Sequence, residues 1–374
     1  MSARAPRLAA CGREAPGLGA PWLASGPEPL GVRALWSPLA PLAFVYGRAA
    51  ALHRGLYRRG LLRARRVGAQ VVSVGNLVVG GTGKTPTAAW LAGRLQRRGR
   101  RVALVGRGHG GDLRDPVRVV SDGRRVHSSG RVAGDEALVL AAHAPGVPVL
   151  VARDRVQAGL RAVSAFGAEV LVLDDGFQHH GLARDLDVVC VDARQGFGNR
   201  RVLPRGPLRE PLGALGSADA VVVVDGPLAA ADAELLLRWT PGACRVAARR
   251  RARALRPLAG GPGTPPRVLD GMPVGMLAGL ARPESLRRTL ASLGAQVVAE
   301  RCFRDHHRYA ERDVAGLSRE APLWVTTEKD AVKIPAAWVA GADVRVLSIE
   351  LEVEQADEFL DWIESALRGR SSRS

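Results

Sequence analysis

From Val71 to about Pro227, short apolar runs rich in β-branched residues alternate with longer segments whose apolar positions recur every three or four residues. The runs predict strands at 70–75, 102–106, 148–152, 169–174, 187–192 and 220–225; the periodic segments predict helices at 84–99, 134–144 and 154–167. Strand followed by helix in this rhythm predicts a parallel sheet with crossover helices, filling 67–244. The pattern then changes. Residues 245–266 are basic and then rich in Gly and Pro, as a linker would be, and a second, smaller α/β pattern occupies 267–349. Its signals are strands at Val274–Leu277, Ala295–Ala299 and Leu323–Thr327 and a helix at 283–293. The alternating run Val346 to Val353 can pair with the segment near 245–256 as a two-stranded bridge, and 350–374 reads as a return strand with a closing helix at 355–368.

Upstream of the sheet the pattern is different. Residues 1–33 show little periodicity and read as a disordered leader. Residues 34–66 begin with an uncharged apolar run, Ala34 to Gly47, that is too short to span a bilayer. Arg48, Arg54, Arg58, Arg59, Arg63, Arg65 and Arg66 follow, interleaved with Leu52, Leu56, Leu61 and Leu62. This spacing predicts a basic amphipathic helix at a membrane surface; the alternative is a helix packed on the protein with a solvated basic side.

Length and composition narrow the class. A chain of 374 residues is long enough for two domains with cores of their own, and 47% hydrophobic with 24% charged residues excludes a disordered or multi-span chain. The net charge of +18 points to an anionic partner: nucleic acid, a phosphorylated substrate or a membrane surface. Aromatic residues make up only 4%, with no basic–aromatic interleaving outside 46–66, which argues against nucleic acid. The four cysteines form no C-x-x-C pair, which argues against a zinc ribbon.

Candidate chemistry begins at Val71 to Pro86, V-V-S-V-G-N-L-V-V-G-G-T-G-K-T-P. A strand, a glycine loop (Val78, Val79, Gly80, Gly81, Thr82, Gly83) and a helix opening at Lys84 and Thr85 make a phosphate cradle. Backbone N–H groups and the helix dipole favour anions, Lys84 suits the β- and γ-phosphates, and the Thr85 hydroxyl suits Mg²⁺. The strict pattern wants glycine at position 78, so this loop is a variant. The chain uses Arg 51 times and Lys three times, and a lysine kept at 84 against that bias implies that Arg would not serve. Asp174 and Asp175 end a hydrophobic strand, where such folds place the carboxylate that holds Mg²⁺. Gln178, His179 and His180 follow where they can touch substrate. Gly106 to Gly111 (G-R-G-H-G-G) should lie at the same sheet edge, and Asp135 with Glu136 opens a helix, where Asp135 could equally be a cap. Leu203 to Pro211 carries Arg205 and Arg209, suited to phosphate; His306 and His307 precede a helix in the second domain and suit proton transfer.

Together these segments resemble the tetraacyldisaccharide 4'-kinases, the lipid A 4'-kinases of Gram-negative bacteria. The resemblance spans residues 36 to 365 and rests on V-G-N-L-V-V-G-G-T-G-K-T, R-G-H-G-G, G-D-E, D-D-G-F-Q-H, L-P-x-G-x-L-R-E-P, F-x-D-H-H-x-Y and T-T-E-K-D in one order. The family's loop also lacks the first glycine, whereas G-R-G-H-G-G stands in place of its usual S-R-G-Y-G-G. The resemblance implies a P-loop NTPase sheet domain with a smaller α/β domain. It implies ATP and Mg²⁺ as cofactors, and transfer of the γ-phosphate to the 4'-hydroxyl of an acylated glucosamine disaccharide 1-phosphate at the cytoplasmic face of the inner membrane. By the same resemblance, Asp135 and His306 form a catalytic pair, with His307 open in place of His306. Thr85, Asp174, Asp175 and Glu136 fall to the metal, and Gln178, His179, Arg155 and Arg209 to the substrate. The competing reading is a membrane-associated ATPase of the partitioning type. Its second P-loop lysine is missing here, where Gly80 and Gly81 stand, and it needs no second domain with paired histidines.

Overall fold

The computed structural model describes residues 37–371, so the leader expected at 1–33 lies outside the described residues. One twelve-stranded sheet runs through them. In chain order its strands are β1 (Gln70–Gly75), β2 (Val102–Gly106), β3 (Arg118–Asp122), β4 (Pro148–Val151), β5 (Val170–Asp174), β6 (Leu186–Asp192), β7 (Ala220–Val224), β8 (Cys244–Pro257), β9 (Pro273–Ala278), β10 (Gln296–Cys302), β11 (Trp324–Thr327) and β12 (Val344–Val353). Their order across the sheet is β10-β9-β11-β12-β8-β7-β6-β1-β5-β2-β4-β3.

In the larger module the strands from β8 to β4 run parallel, and both faces are covered by helices. Burial on both faces is why these strands read as continuous Val/Leu runs rather than alternations. Val72, Val74, Leu104 and Val172 pack against Leu91 and Leu95 of α2 (Lys84–Arg97) and Leu140 of α3 (Asp135–His143). Val71, Val105, Leu171 and Leu173 pack on the other face with Val156, Ala158 and Ala162 of α4 (Arg155–Phe166). Elements of this module that carry no expectation from the sequence include α5 (Ala230–Trp239) and β3, an antiparallel edge strand on β4. β3 is half-buried and its polar residues mask a strand signal.

The smaller module is built on β9, β10 and β11, with α6 (Pro283–Ser292) supplying Leu286 and Leu290 to a core that includes Met276 and Val325. The modules are joined through the sheet itself. β12 pairs antiparallel with β8, from Val346↔Arg256 to Val353↔Ala248, so the basic stretch 245–256 is strand. α7 (Ala356–Ser371) then returns to the larger module, where Phe359 stacks on Trp90 at 6.2 Å and Arg98 meets Glu364 at 3.2 Å.

The N-terminal element, α1 (Ala40–Arg58), departs from expectation in two ways. The helix ends at Arg58, with Gly60 in a left-handed conformation (φ 73°), and Arg65 pairs with Leu182 instead of continuing the amphipathic pattern. Arg54, expected on the basic membrane side, is buried: its guanidinium lies 2.5 Å from Glu210 and 4.6 Å from the Phe177 ring. Ala43, Gly47 and Arg54 face the protein, while Leu42, Phe44, Val45 and Leu52 are exposed. No helix among the described residues is long and apolar enough to cross a membrane.

Candidate active site

β1 ends at Gly75 and the chain passes through residues 76–83 into α2. Gly83 caps that helix with φ 87°, and a Cβ there would meet Val224 at 3.1 Å, so the turn needs glycine. The loop is braced from inside. Buried Asn76 donates to the Thr82 hydroxyl at 2.8 Å, and Gln178 donates to the Asn76 carbonyl at 2.9 Å. Val78 is itself buried and bridges to Leu208, while the Val79 N–H donates to the Pro207 carbonyl at 2.8 Å. Val78 thus ties the loop to the L-P-R-G-P-L-R-E-P segment, leaving Gly80 to Thr85 to line a cleft of about 850 Å³.

The two adjacent aspartates at the end of β5 have different surroundings. Asp174 Oδ2 accepts from the Thr85 hydroxyl at 3.0 Å, and its Oδ1 is buried with no hydrogen-bond partner among the described residues. Burial, with Glu136 and Asp175 close by, pushes this carboxyl well above its ordinary range. A buried carboxylate with a free oxygen beside Glu136 is a donor set that a divalent cation would satisfy, so the residues fit Mg²⁺. Asp175 is engaged otherwise: Arg209 donates to its two oxygens at 2.7 and 2.9 Å, and Lys84 Nζ lies 3.7 Å away. Gln178 Oε1 accepts from the same Arg209 at 3.3 Å. Arg155 is buried and donates to the Asp175 carbonyl at 3.1 Å, and His179 lines the cleft with its pKa lowered to about 4 by burial and by Arg155.

Across the cleft stands His306 of the smaller module. Its Nδ1 lies 3.2 Å from Oδ2 of Asp135, the first residue of α3, which is buried. Gly134, not Asp135, caps α3. Burial alone would raise the Asp135 pKa, but His306, Lys329 and Lys333 hold it below the ordinary range; the same contact raises that of His306. His307 points elsewhere, 2.9 Å from Asp313 and stacked on Phe303 at 4.4 Å. Asp175 and His306 both adopt left-handed φ values, 55° and 58°. Such backbone costs a non-glycine residue roughly 1–3 kcal/mol and concentrates at functional sites.

Sequence reasoning missed Lys333, and it gave the T-T-E-K-D and G-R-G-H-G-G motifs no partner here. Lys333 lies 3.6 Å from Asp135 and 3.0 Å from Asp330. Lys329 lies 3.0 Å from Asp305, 3.3 Å from His306 Nε2 and 3.9 Å from Glu136. The His109 ring of G-R-G-H-G-G sits 5.3 Å from that of His306. The signal that could have found Lys333 is lysine scarcity, since all three lysines in the chain gather at this site.

A family model described as tetraacyldisaccharide-1-P 4'-kinase (LpxK) matches residues 35–368. The chain is 45% identical over 356 residues to the tetraacyldisaccharide 4'-kinase of Anaeromyxobacter dehalogenans, covering 92% of this chain and 93% of that protein. It is 39% identical over 346 residues to the enzyme of the same name from Syntrophus aciditrophicus, covering 86% and 92%. Among solved structures it is similar to LpxK from Aquifex aeolicus in complex with ATP, with a TM-score of 0.73, 30% identity, and coverage of 89% of this chain and 99% of that one.

Proposed function

Since the chain belongs to the tetraacyldisaccharide 4'-kinase family and is an ATP-dependent lipid A 4'-kinase with a P-loop NTPase fold, we propose that its chemistry is carried by Asp135 and His306 facing the cradle of Lys84. The enzyme transfers the γ-phosphate of ATP to the 4'-hydroxyl of a tetraacylated disaccharide 1-phosphate. The observation that carries the assignment is the 3.2 Å approach of His306 to Asp135, between two modules, at the mouth of the cleft lined by Lys84.

A sugar hydroxyl is a poor nucleophile, and phosphoryl transfer is catalysed mostly by positioning and electrostatics. Asp135, held ionised by His306 and two lysines, accepts the proton of the 4'-hydroxyl as that oxygen bonds to the γ-phosphorus, while the bond from that phosphorus to the β–γ bridging oxygen breaks and ADP leaves. His306 orients the carboxylate and shares the proton. Lys84 neutralises charge on the β- and γ-phosphates, Asp175 and Arg209 fix the Lys84 side chain, and the N–H groups of Gly80 to Thr85 cradle the phosphates. Mg²⁺ would be held by Asp174, Thr85 and Glu136, and when bound supplies charge neutralisation on the phosphate oxygens. Gln178 braces the loop, and His179 and Arg155 are left to face the acceptor.

The membrane surface belongs to the same proposal. The exposed Leu42, Phe44, Val45 and Leu52 of α1, with exposed Leu61 and Leu62 and the exposed Arg48, Arg58, Arg59 and Arg63 around them, form an apolar face with a basic rim. Such a surface suits the interface of an anionic bilayer, where a tetraacylated substrate resides, and supports the reading of a peripheral enzyme at the cytoplasmic face of the inner membrane. Tyr46 of the same helix lines the cleft and donates to the Arg209 carbonyl at 2.9 Å, so the membrane-facing element reaches the site. The test is transfer of labelled γ-phosphate from ATP to the acceptor on anionic vesicles, resolved by thin-layer chromatography. Asp135→Ala should bind ATP but fail to transfer; full transfer by that variant would overturn the assignment.

A further inference from the structure

The smaller module also sends an arginine over the phosphate loop. Arg282 sits between β9 and α6, and its carbonyl accepts from the Ser285 hydroxyl at 2.8 Å, which fixes the backbone from which the side chain departs. Its guanidinium lies against the turn at Gly80: a Cβ on Gly80 would stand 3.2 Å from Nη2 and 3.8 Å from Cζ. Gly80 has φ 108°, so this turn admits no ordinary side chain, and an arginine is laid across the opening it leaves. Nη2 is buried and has no hydrogen-bond acceptor among the described residues.

The surroundings do not neutralise it. Arg250 and Arg288 are close; of the opposing charges, Glu284 acts more weakly than Asp192, and Asp192 is already bound 2.6 Å from Arg250 and accepts from the Arg194 N–H at 3.0 Å. Burial therefore weakens the charged form of Arg282, and a guanidinium remains charged under such conditions. A buried donor in a cationic wall beside a phosphate loop calls for an anion with several oxygens, and the planar fork of Arg suits two of them at once.

We propose that Arg282 is a nucleotide-binding residue, supplied by the smaller module, whose guanidinium grips the polyphosphate of ATP as it lies in the Gly80–Thr85 loop. This rests on the reading of that loop as the nucleotide cradle. The competing source of phosphate oxygens is the 1-phosphate of the acceptor.

The experiment compares wild type, Arg282→Ala, Arg282→Lys and Lys84→Ala. It measures binding of ATP and of inorganic tripolyphosphate by calorimetry, KM for ATP and for the acceptor, and thermal unfolding without ligand. Arg282→Ala should weaken ATP and tripolyphosphate about tenfold or more, the loss expected of a charge-assisted hydrogen bond, with acceptor KM within about twofold. Arg282→Lys should recover part of that loss, since the charge returns without the fork. Unliganded melting should not change. Unaltered ATP and tripolyphosphate affinity in Arg282→Ala overturns the proposal. A rise confined to acceptor KM overturns it as well, giving the contact to the 1-phosphate. Lys84→Ala separates the two levels: if it loses ATP while Arg282→Ala does not, the cradle stands and only Arg282 is misassigned.

Discussion

The role proposed for Lys84 rests on where its side chain is held. Its ammonium is held 3.7 Å from Asp175, which Arg209 holds in turn, so the charge is aimed before any nucleotide binds. Lys84→Ala should lower the transfer rate about 10³-fold or more, as loss of a preorganised charge in phosphoryl transfer does. Lys84→Arg should also be poor, because a planar fork does not replace a compact ammonium; near-normal turnover in either would refute the role. Asp174 supports a separate prediction. Its unpartnered Oδ1 beside Glu136 suits a divalent cation, so Asp174→Asn should raise the Mg²⁺ concentration for half-maximal rate by more than about tenfold while ATP still binds. An unchanged Mg²⁺ titration would remove Asp174 from the metal site.

At the scale of elements, α1 has a docked side and an exposed side. Arg54 is the anchor, with Glu210 at 2.5 Å, the Ser217 hydroxyl at 2.6 Å and the Phe177 ring beneath it. Removing one member of a buried pair strands the other, so Arg54→Ala should cost about 3–5 kcal/mol of stability in denaturant unfolding. Glu210→Gln added to it should recover part of that loss, since the stranded charge is then gone. On the exposed side, Phe44→Ser and Leu52→Ser should each weaken sedimentation with anionic vesicles by roughly 1.5–3 kcal/mol if the side chain enters the bilayer interface. Replacing Arg48, Arg58, Arg59 and Arg63 with Gln should weaken it by about 1 kcal/mol for each residue near the surface, as high salt should. Binding unchanged by all of these would leave α1 a structural helix. The periodicity of α1 was legible in the sequence, but the side it buries was not. The partner of Arg54 lies 156 residues away, and no local pattern reports a charge pair across that distance. The core strands were legible for the opposite reason, because burial on both faces leaves runs such as Val170–Leu173 that need no partner to be recognised.

At the scale of the whole molecule, the site is a product of the sheet. β8 and β12 carry the smaller module on the same sheet as the phosphate loop, so residues far apart in sequence meet over one cleft. Motifs at strand ends could be placed on that edge from the sequence alone, as with Asp174 and Lys84. The sequence could not choose between His306 and His307, since neighbours share every spacing; the choice lies in a left-handed turn at 306 and in Asp313, which takes His307. Nor could it find Lys333, which reaches Asp135 only through the meeting of modules. That meeting is what the last prediction tests. If His306 orients Asp135 or shares its proton, the two act as one unit. Asp135→Ala and His306→Ala should each lower kcat by about 10²–10⁴-fold with much smaller changes in KM. Removing both should then cost little more than removing one, because members of a unit are strongly non-additive. Each single variant should still bind ATP, since neither residue is needed to hold the phosphates. A double-mutant cycle on kcat/KM decides the matter, with His307→Ala as the neighbouring control. Fully additive losses would mean that the two residues act separately. A loss in His307→Ala as large as that in His306→Ala would move the role one residue along, against a geometry in which His307 is bound to Asp313.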